Sequence, residues 1–119
     1  MKAEELRLGN LVSNMNPRHN DSILTIESIG DNHEVNVFYR KYLLSELEPI
    51  PLTEEWLLKF GFTKHGKYSY FYKDDLIIDK NDLGVFFMCD IDIHVEIKSV
   101  HQLQNLYWCL FGEELTLKP

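Results

Sequence analysis

Hydrophobic and polar positions along the chain follow two periods. From Ile23 to Ile29 they alternate singly, with Ile23, Thr25, Glu27 and Ile29 against Leu24, Ile26 and Ser28. The turn sequence GDNH, Gly30–His33, interrupts this run, and Val35, Val37 and Tyr39 then alternate again. Two alternating runs around a turn predict a β-hairpin. Leu8–Ser13 is another short strand, bent or bulged at Gly9 and Asn10. Asn14–Asp21, NMNPRHND, is a polar, turn-rich loop. A meander of short strands this size closes into an SH3-like small barrel or packs as a partial one.

The period changes after EPIPLT, Glu48–Thr53, whose two prolines favour an extended connector. Thr53 is a natural N-cap, and Glu54 and Glu55 suit the positive end of a helix dipole. Leu52 and Leu57 occupy hydrophobic-staple positions, Trp56, Leu57 and Phe60 make the buried stripe, and Gly61 ends the helix. Three strands are expected next: Lys67–Lys73, Leu76–Asp79, and Val85–Ile97 with a break near Cys89–Asp90. Ser99 and Gln102 form an S-x-x-Q capping box that opens a second helix, and Gly112 closes it. Leu115 and Leu117 alternate after it as a last strand would. The fold class is α+β: an N-terminal antiparallel β meander over 1–50, then an α-β-β-β-α-β lobe over 51–119. The two lobes are expected to share one core in a single domain.

In the second helix, about 100° per residue puts Val100, Leu103, Leu106, Tyr107, Leu110 and Phe111 on one stripe. His101, Gln104, Asn105 and Trp108 fall on the other side as helical neighbours. A tryptophan ringed by amides and an imidazole is a contact anchor, since Trp is enriched at binding hot spots. The alternative is that the first lobe packs across this face and buries Trp108.

Composition narrows the function classes. The chain has 119 residues, 45% hydrophobic and 26% charged, an ordinary globular balance with disorder expected only at the ends and in one loop. A net charge of −7 disfavours a general nucleic-acid coat and leaves room for a basic partner. Cys89 and Cys109 form no C-x-x-C pair and read as buried free thiols. MKAEELRLGN has no apolar core of a signal peptide, and no apolar run has membrane-spanning length. A cytoplasmic protein without a cofactor and without membrane attachment is expected.

Two stretches carry candidate chemistry. Cys89–Lys98 alternates, with Ile91, Ile93, Val95 and Ile97 against Asp90, Asp92, His94, Glu96 and Lys98. Carboxylates and an imidazole on one strand face can hold a divalent metal, and a half-exposed strand with a wet face has the same pattern. Within it, Glu96-Ile97-Lys98 has the E-x-K form of the PD-(D/E)xK nucleases. Asp79 and Glu96 would then hold Mg²⁺, and Lys98 would orient the attacking water. Against that match, no proline precedes Asp79, the strands are short, and Gln104 and Tyr107 lack the Q-x-x-x-Y spacing. In Lys64–Lys73, Tyr68, Tyr70 and Tyr72 share a strand face flanked by Lys64, Lys67 and Lys73. Such a face can stack the bases of a single strand, or it is ordinary β chemistry of tyrosine.

LRLGNLV (Leu6–Val12), PIPLTEEWLLKFGF (Pro49–Phe62) and VHQLQNLYWCLFGEELTL (Val100–Leu117) resemble a group of short, uncharacterised proteins of gut-type bacteria, their phages and prophages. The resemblance covers both ends and the centre, and Lys64–Lys98 lies outside it. It implies a small accessory protein of the kind mobile elements carry, and it carries over no catalytic residues. The sequence reading is therefore a non-catalytic protein-binding protein. Its contact face is Trp108 with His101, Gln104 and Asn105, and a homodimer through that face is its simplest form. The alternatives are the nuclease of Asp79, Glu96 and Lys98, and single-strand nucleic-acid binding through the tyrosines.

Overall fold

A computed structural model describes residues 2–14, 23–30, 34–37, 40–90 and 93–118. The fold is mixed α+β and divides into two compact units. One comprises Met1–Ile50 and Ser99–Asn105, the other Pro51–Lys98 and Leu106–Pro119. The loop expected at Asn14–Asp21 lies outside the described residues beyond Asn14, as do Asp31–His33 of the GDNH turn and Tyr39.

Among the described residues the first unit holds six short strands: β1 (Leu11–Asn14), β2 (Ile23–Thr25), β3 (Ser28–Ile29), β4 (Glu34–Val37), β5 (Arg40–Leu43) and β6 (Leu47–Glu48). They form two antiparallel three-stranded sheets, ordered β2-β1-β6 and β3-β4-β5. The expected hairpin is present, with Ile29 opposite Val35 and the Gly30 amide donating to the Glu34 carbonyl at 2.9 Å. No closed barrel is detected among the described residues. Ile23–Ile29 serves both sheets. Its first half pairs with β1 and its second with β4, and Ile26 between them exchanges hydrogen bonds with Gly9 and Asn10. The alternation survives this handover, because Leu24 and Ile26 are buried while Ile23, Thr25 and Glu27 are exposed. They join Leu6, Val12, Tyr42, Leu44 and Leu47 in a core whose burial supplies the main stabilisation. The bend expected at Gly9 is real: its φ is +90°, open to glycine at no steric cost.

In the second unit, α1 (Glu54–Lys59) precedes β7 (Thr63–Lys64), β8 (Phe71–Lys73), β9 (Leu76–Lys80), β10 (Phe86–Asp90) and β11 (Ile93–Ile97). These five strands form one antiparallel sheet in sequential order. The α1 ends match their sequence signals. Thr53 Oγ1 accepts the Trp56 amide at 3.4 Å, and Leu52 and Leu57 are both buried. At the other end the Gly61 and Phe62 amides donate to the Leu58 and Leu57 carbonyls, each at 3.0 Å. That 5→2 and 6→1 pair is a Schellman motif, and it needs the left-handed φ of +92° at Gly61.

Helix α2 (Val100–Phe111) contributes its first half to the first unit and its second half to the other. Ser99 Oγ accepts the Gln102 amide at 3.3 Å, and Gly112, at φ +65°, donates to the Trp108 carbonyl at 2.8 Å. Val100, Leu103 and Tyr107 are buried as expected, but Leu110 is 50% exposed.

Three expected strands are corrected. Val85–Ile97 is a hairpin in which Asp90 opposes Ile93 and Cys89 opposes His94, so its alternation changes phase across residues 91–92. Lys67–Lys73 is strand only over Phe71–Lys73, because residues 65–70 form a loop closed by the His65 amide on the Tyr70 carbonyl at 3.0 Å. No strand forms at Leu115–Leu117; Leu115 is buried there, and the Lys118 amide donates to the Lys59 carbonyl at 2.7 Å. Cys109 is an exposed free thiol, against the expectation of burial, and the side chain of Cys89 lies outside the described part.

Candidate functional site

The four residues of the expected helix contact face separate. Trp108 is 42% exposed, whereas His101 and Gln104 are only 4% and 2% exposed. Their burial follows from the N-terminal segment: Gln104 and Asn105 bond its backbone, and His101 faces the Glu5 carboxylate. Gln104 Oε1 accepts the Leu11 amide at 2.8 Å, and its Nε2 donates to the Gly9 carbonyl at 3.2 Å. Asn105 Nδ2 donates to the Glu5 carbonyl at 2.8 Å, and its Oδ1 accepts from Asn10 Nδ2 at 2.8 Å and Arg7 Nε at 3.2 Å. His101 Nε2 stands 3.7 Å from Glu5 Oε2. Burial lowers the His101 pKa below the usual histidine value, and the Glu5 carboxylate opposes that shift. The two amides clasp the N-terminal segment from Glu5 to Leu11, and a partner cannot reach His101 or Gln104 without displacing it.

Asp79, Glu96 and Lys98 lie toward one side of the five-stranded sheet but are not adjacent. Asp79 opposes Phe87 on one side of β10 and Glu96 opposes it on the other. Two strand spacings, about 10 Å, therefore separate the two carboxylate-bearing backbones. Asp79 Oδ1 accepts from Ser69 Oγ and from the Lys80 amide, both at 2.8 Å. Among the described residues no group of three His, Cys, Asp or Glu is placed to hold a metal. Of the expected Asp90–Lys98 polar face, Asp92 and the side chain of Asp90 lie outside the described part, while His94, Glu96 and Lys98 are exposed.

The tyrosine segment builds the most developed surface. Its hairpin loop closes on His65, whose Nδ1 also accepts the Lys67 amide at 3.2 Å. That fold brings the aromatic rings together. His65 lies 5.1 Å from Tyr68 and 4.7 Å from Tyr70 between ring centroids. Tyr68 and Tyr70 are nearly parallel at 6.0 Å, and Tyr72 follows Tyr70 at 6.4 Å. Tyr68 is 64% exposed, and Tyr72 is also exposed. Beside them opens a groove of about 370 Å³ lined by His65, Tyr70, Tyr72, Asp74, Asp75 and Ile77.

Of the expected basic flank, none of Lys64, Lys67 and Lys73 is among the described residues that line this groove, and Lys67 is exposed in the loop. Lys64 pairs with Phe71 in register, and its exposed side chain bonds Glu54 Oε1 through Nζ at 2.8 Å. That bond holds the Glu54 carboxyl below its usual pKa. Lys73 shares the parity of Phe71, and its Nζ approaches Gly61. The β8–β9 turn instead supplies two carboxylates. Lys73 opposes Leu76, leaving Asp74-Asp75 as a two-residue loop, and Asp74 takes a φ of +53° that aspartate tolerates in turns. Tyr107 Oη donates to Asp74 Oδ2 at 2.6 Å, which pushes the phenol pKa up to about 12. Sequence reading missed Asp74, Asp75, His65 and Ile77. The signal for the first two was the KDDL turn between alternating runs.

No protein-family model, no curated protein and no solved structure matches the chain. Among the described residues no helix is long and apolar enough to cross a membrane.

Proposed function

We propose that this is a non-catalytic protein-binding protein of the cytoplasm, an accessory factor of the kind mobile elements carry, and that it binds through the aromatic edge of its five-stranded sheet. The observation that carries this reading is the run of His65, Tyr68, Tyr70 and Tyr72 at ring-contact distances with Tyr68 and Tyr72 open to solvent. Tyrosines offer large contact area at low entropic cost and recur at binding hot spots. Core packing needs neither Tyr68 nor Tyr72, since the buried residue of that segment is Phe71.

Tandem affinity capture from the native host tests this with wild type, Tyr68→Ser/Tyr72→Ser, and Leu83→Ser as a control on another exposed loop. A protein retained by wild type and the control, and lost with the double variant, supports the reading. Retention that is indifferent to Tyr68 and Tyr72 overturns it.

A further inference from the structure

We infer that the groove beside the tyrosines takes an organic cation, a guanidinium or alkylammonium group, held between aromatic rings and the Asp74 and Asp75 carboxylates. This deepens the reading above and rests on it for the claim that the cation belongs to a protein.

Three features converge. The first is the wall. His65, Tyr70 and Tyr72 line one groove. The face of an aromatic ring is electron-rich and attracts a cation within about 6 Å of its centroid. His65 Nδ1 accepts the Lys67 amide at 3.2 Å, which fixes that ring beside the tyrosines. The second is the counter-charge. Asp74 and Asp75 line the same groove, and Tyr107 fixes one oxygen of Asp74. A carboxylate oriented in this way is ready to accept from N–H donors, so little ordering cost remains at binding. The third is the absence of competition. Among the described residues no lysine or arginine lines the groove, and Lys64 and Lys73 fall on the opposite parity of their strands.

The same features disfavour a nucleic-acid strand. Base stacking on the tyrosines would bring phosphates toward Asp74 and Asp75, without cations in the groove to receive them. The volume of about 370 Å³ suits one side-chain head group or a small ammonium compound.

The test is an ¹⁵N-NMR titration of the full chain with N-acetyl-arginine amide and N-acetyl-trimethyllysine amide. Their neutral counterparts, the citrulline and norleucine amides, are titrated alongside. The cations should give saturable shifts at Tyr70, Tyr72, Asp75 and Ile77, and the neutral compounds should bind at least about fivefold more weakly, the scale of a cation–π contact with a charge partner. Tyr72→Leu and Asp75→Asn, both at exposed positions, should each weaken the cations by a similar factor with the remaining spectrum unchanged, while Tyr72→Phe retains them. Equal binding of neutral compounds, preference for an oligothymidylate, or no effect of Asp75→Asn overturns the inference.

An arginine-containing peptide separates the sources. Tighter binding than the single amide supports a protein side chain. Equal binding keeps the cation site but overturns a protein as its source. Captured partners that depend on Tyr68 and Tyr72 without any cation binding sink the inference and leave the protein-binding reading standing.

Discussion

At the scale of single residues, Gln104 shows how a polar side chain can be structural. Its amide serves two backbone groups of the N-terminal segment at once, Leu11 N–H and the Gly9 carbonyl. Gln104→Ala strands both, and an unsatisfied buried group costs about 1–3 kcal/mol, so urea unfolding should register a loss of about 2–4 kcal/mol. Leu83→Ser, at a position 88% exposed, should stay within about 0.5 kcal/mol. His101 adds a pH dependence whose sign is fixed by its lowered pKa. The unfolded chain takes up the proton first as pH falls below about 6.5, so the fold is at full strength above that value and loses stability as pH drops toward the folded pKa. Unfolding midpoints should therefore fall between about pH 7.5 and pH 5, and His101→Gln should flatten the profile. Glu5→Gln, which removes the carboxylate that favours the charged ring, should steepen it; an unchanged slope would rule out the proposed coupling. These side chains were conspicuous in the sequence for their polarity on a helix beside Trp108, yet nothing local distinguishes a clasp from a contact face. The distinction depends on a segment about a hundred positions away in the chain, with Glu5 and Asn105 now in direct contact.

Among elements, what was legible is what is local. Thr53, Gly61, Ser99 and Gly112 act as helix signals because each operates within one turn of its own backbone. The errors arise where a turn changes the phase of an alternating pattern. Across residues 91–92 the run Cys89–Lys98 reverses direction, so period-two reading assigns one face to residues on two strands. In Lys64–Lys73 the histidine closes a loop, and the tyrosines that looked like one strand face come from loop and strand together. The acidic turn between β8 and β9 is the element with the clearest spectroscopic signature, because it holds the Tyr107 phenol. Of six tyrosines, Tyr107 should ionise near pH 12 in a titration followed by phenolate absorbance. Its raised pKa means the contact stabilises the fold fully below about pH 10 and fades as pH climbs through the folded value. Asp74→Asn removes the charge that holds the proton and should move that ionisation back toward the ordinary tyrosine value. Ionisation of Tyr107 at the ordinary tyrosine value, about 10, would deny the bond.

For the molecule as a whole, net charge and the local groove point the same way. A chain of net charge −7 attracts cationic partners at long range, and the Asp74–Asp75 turn offers a place where that attraction becomes contact. The sequence made the acidity visible and placed lysines beside the tyrosines, a combination that suggested nucleic acid. Odd and even positions of β8 face opposite ways, so Lys73, and Lys64 opposite Phe71 on β7, share the Phe71 side, while Tyr72 faces the groove side. A partner drawn by charge should bind with an on-rate that falls as salt rises, because the Debye length shrinks from about 10 Å at 0.1 M toward 3 Å at 1 M. Its dissociation from the groove should respond less, since cation–π contact and short hydrogen bonds act within that distance. Stopped-flow tyrosine fluorescence with an arginine peptide devoid of aromatic residues separates the two rates. The expected result is an association rate that drops severalfold between about 0.05 and 0.5 M NaCl, with a dissociation rate nearly constant. Asp75→Asn should do the reverse, raising dissociation while leaving most of the salt slope of association, because one charge in seven is a small part of the long-range field. If salt changes only dissociation, or if Asp75→Asn abolishes the slope, steering by the whole molecule and holding by the groove are not separate steps.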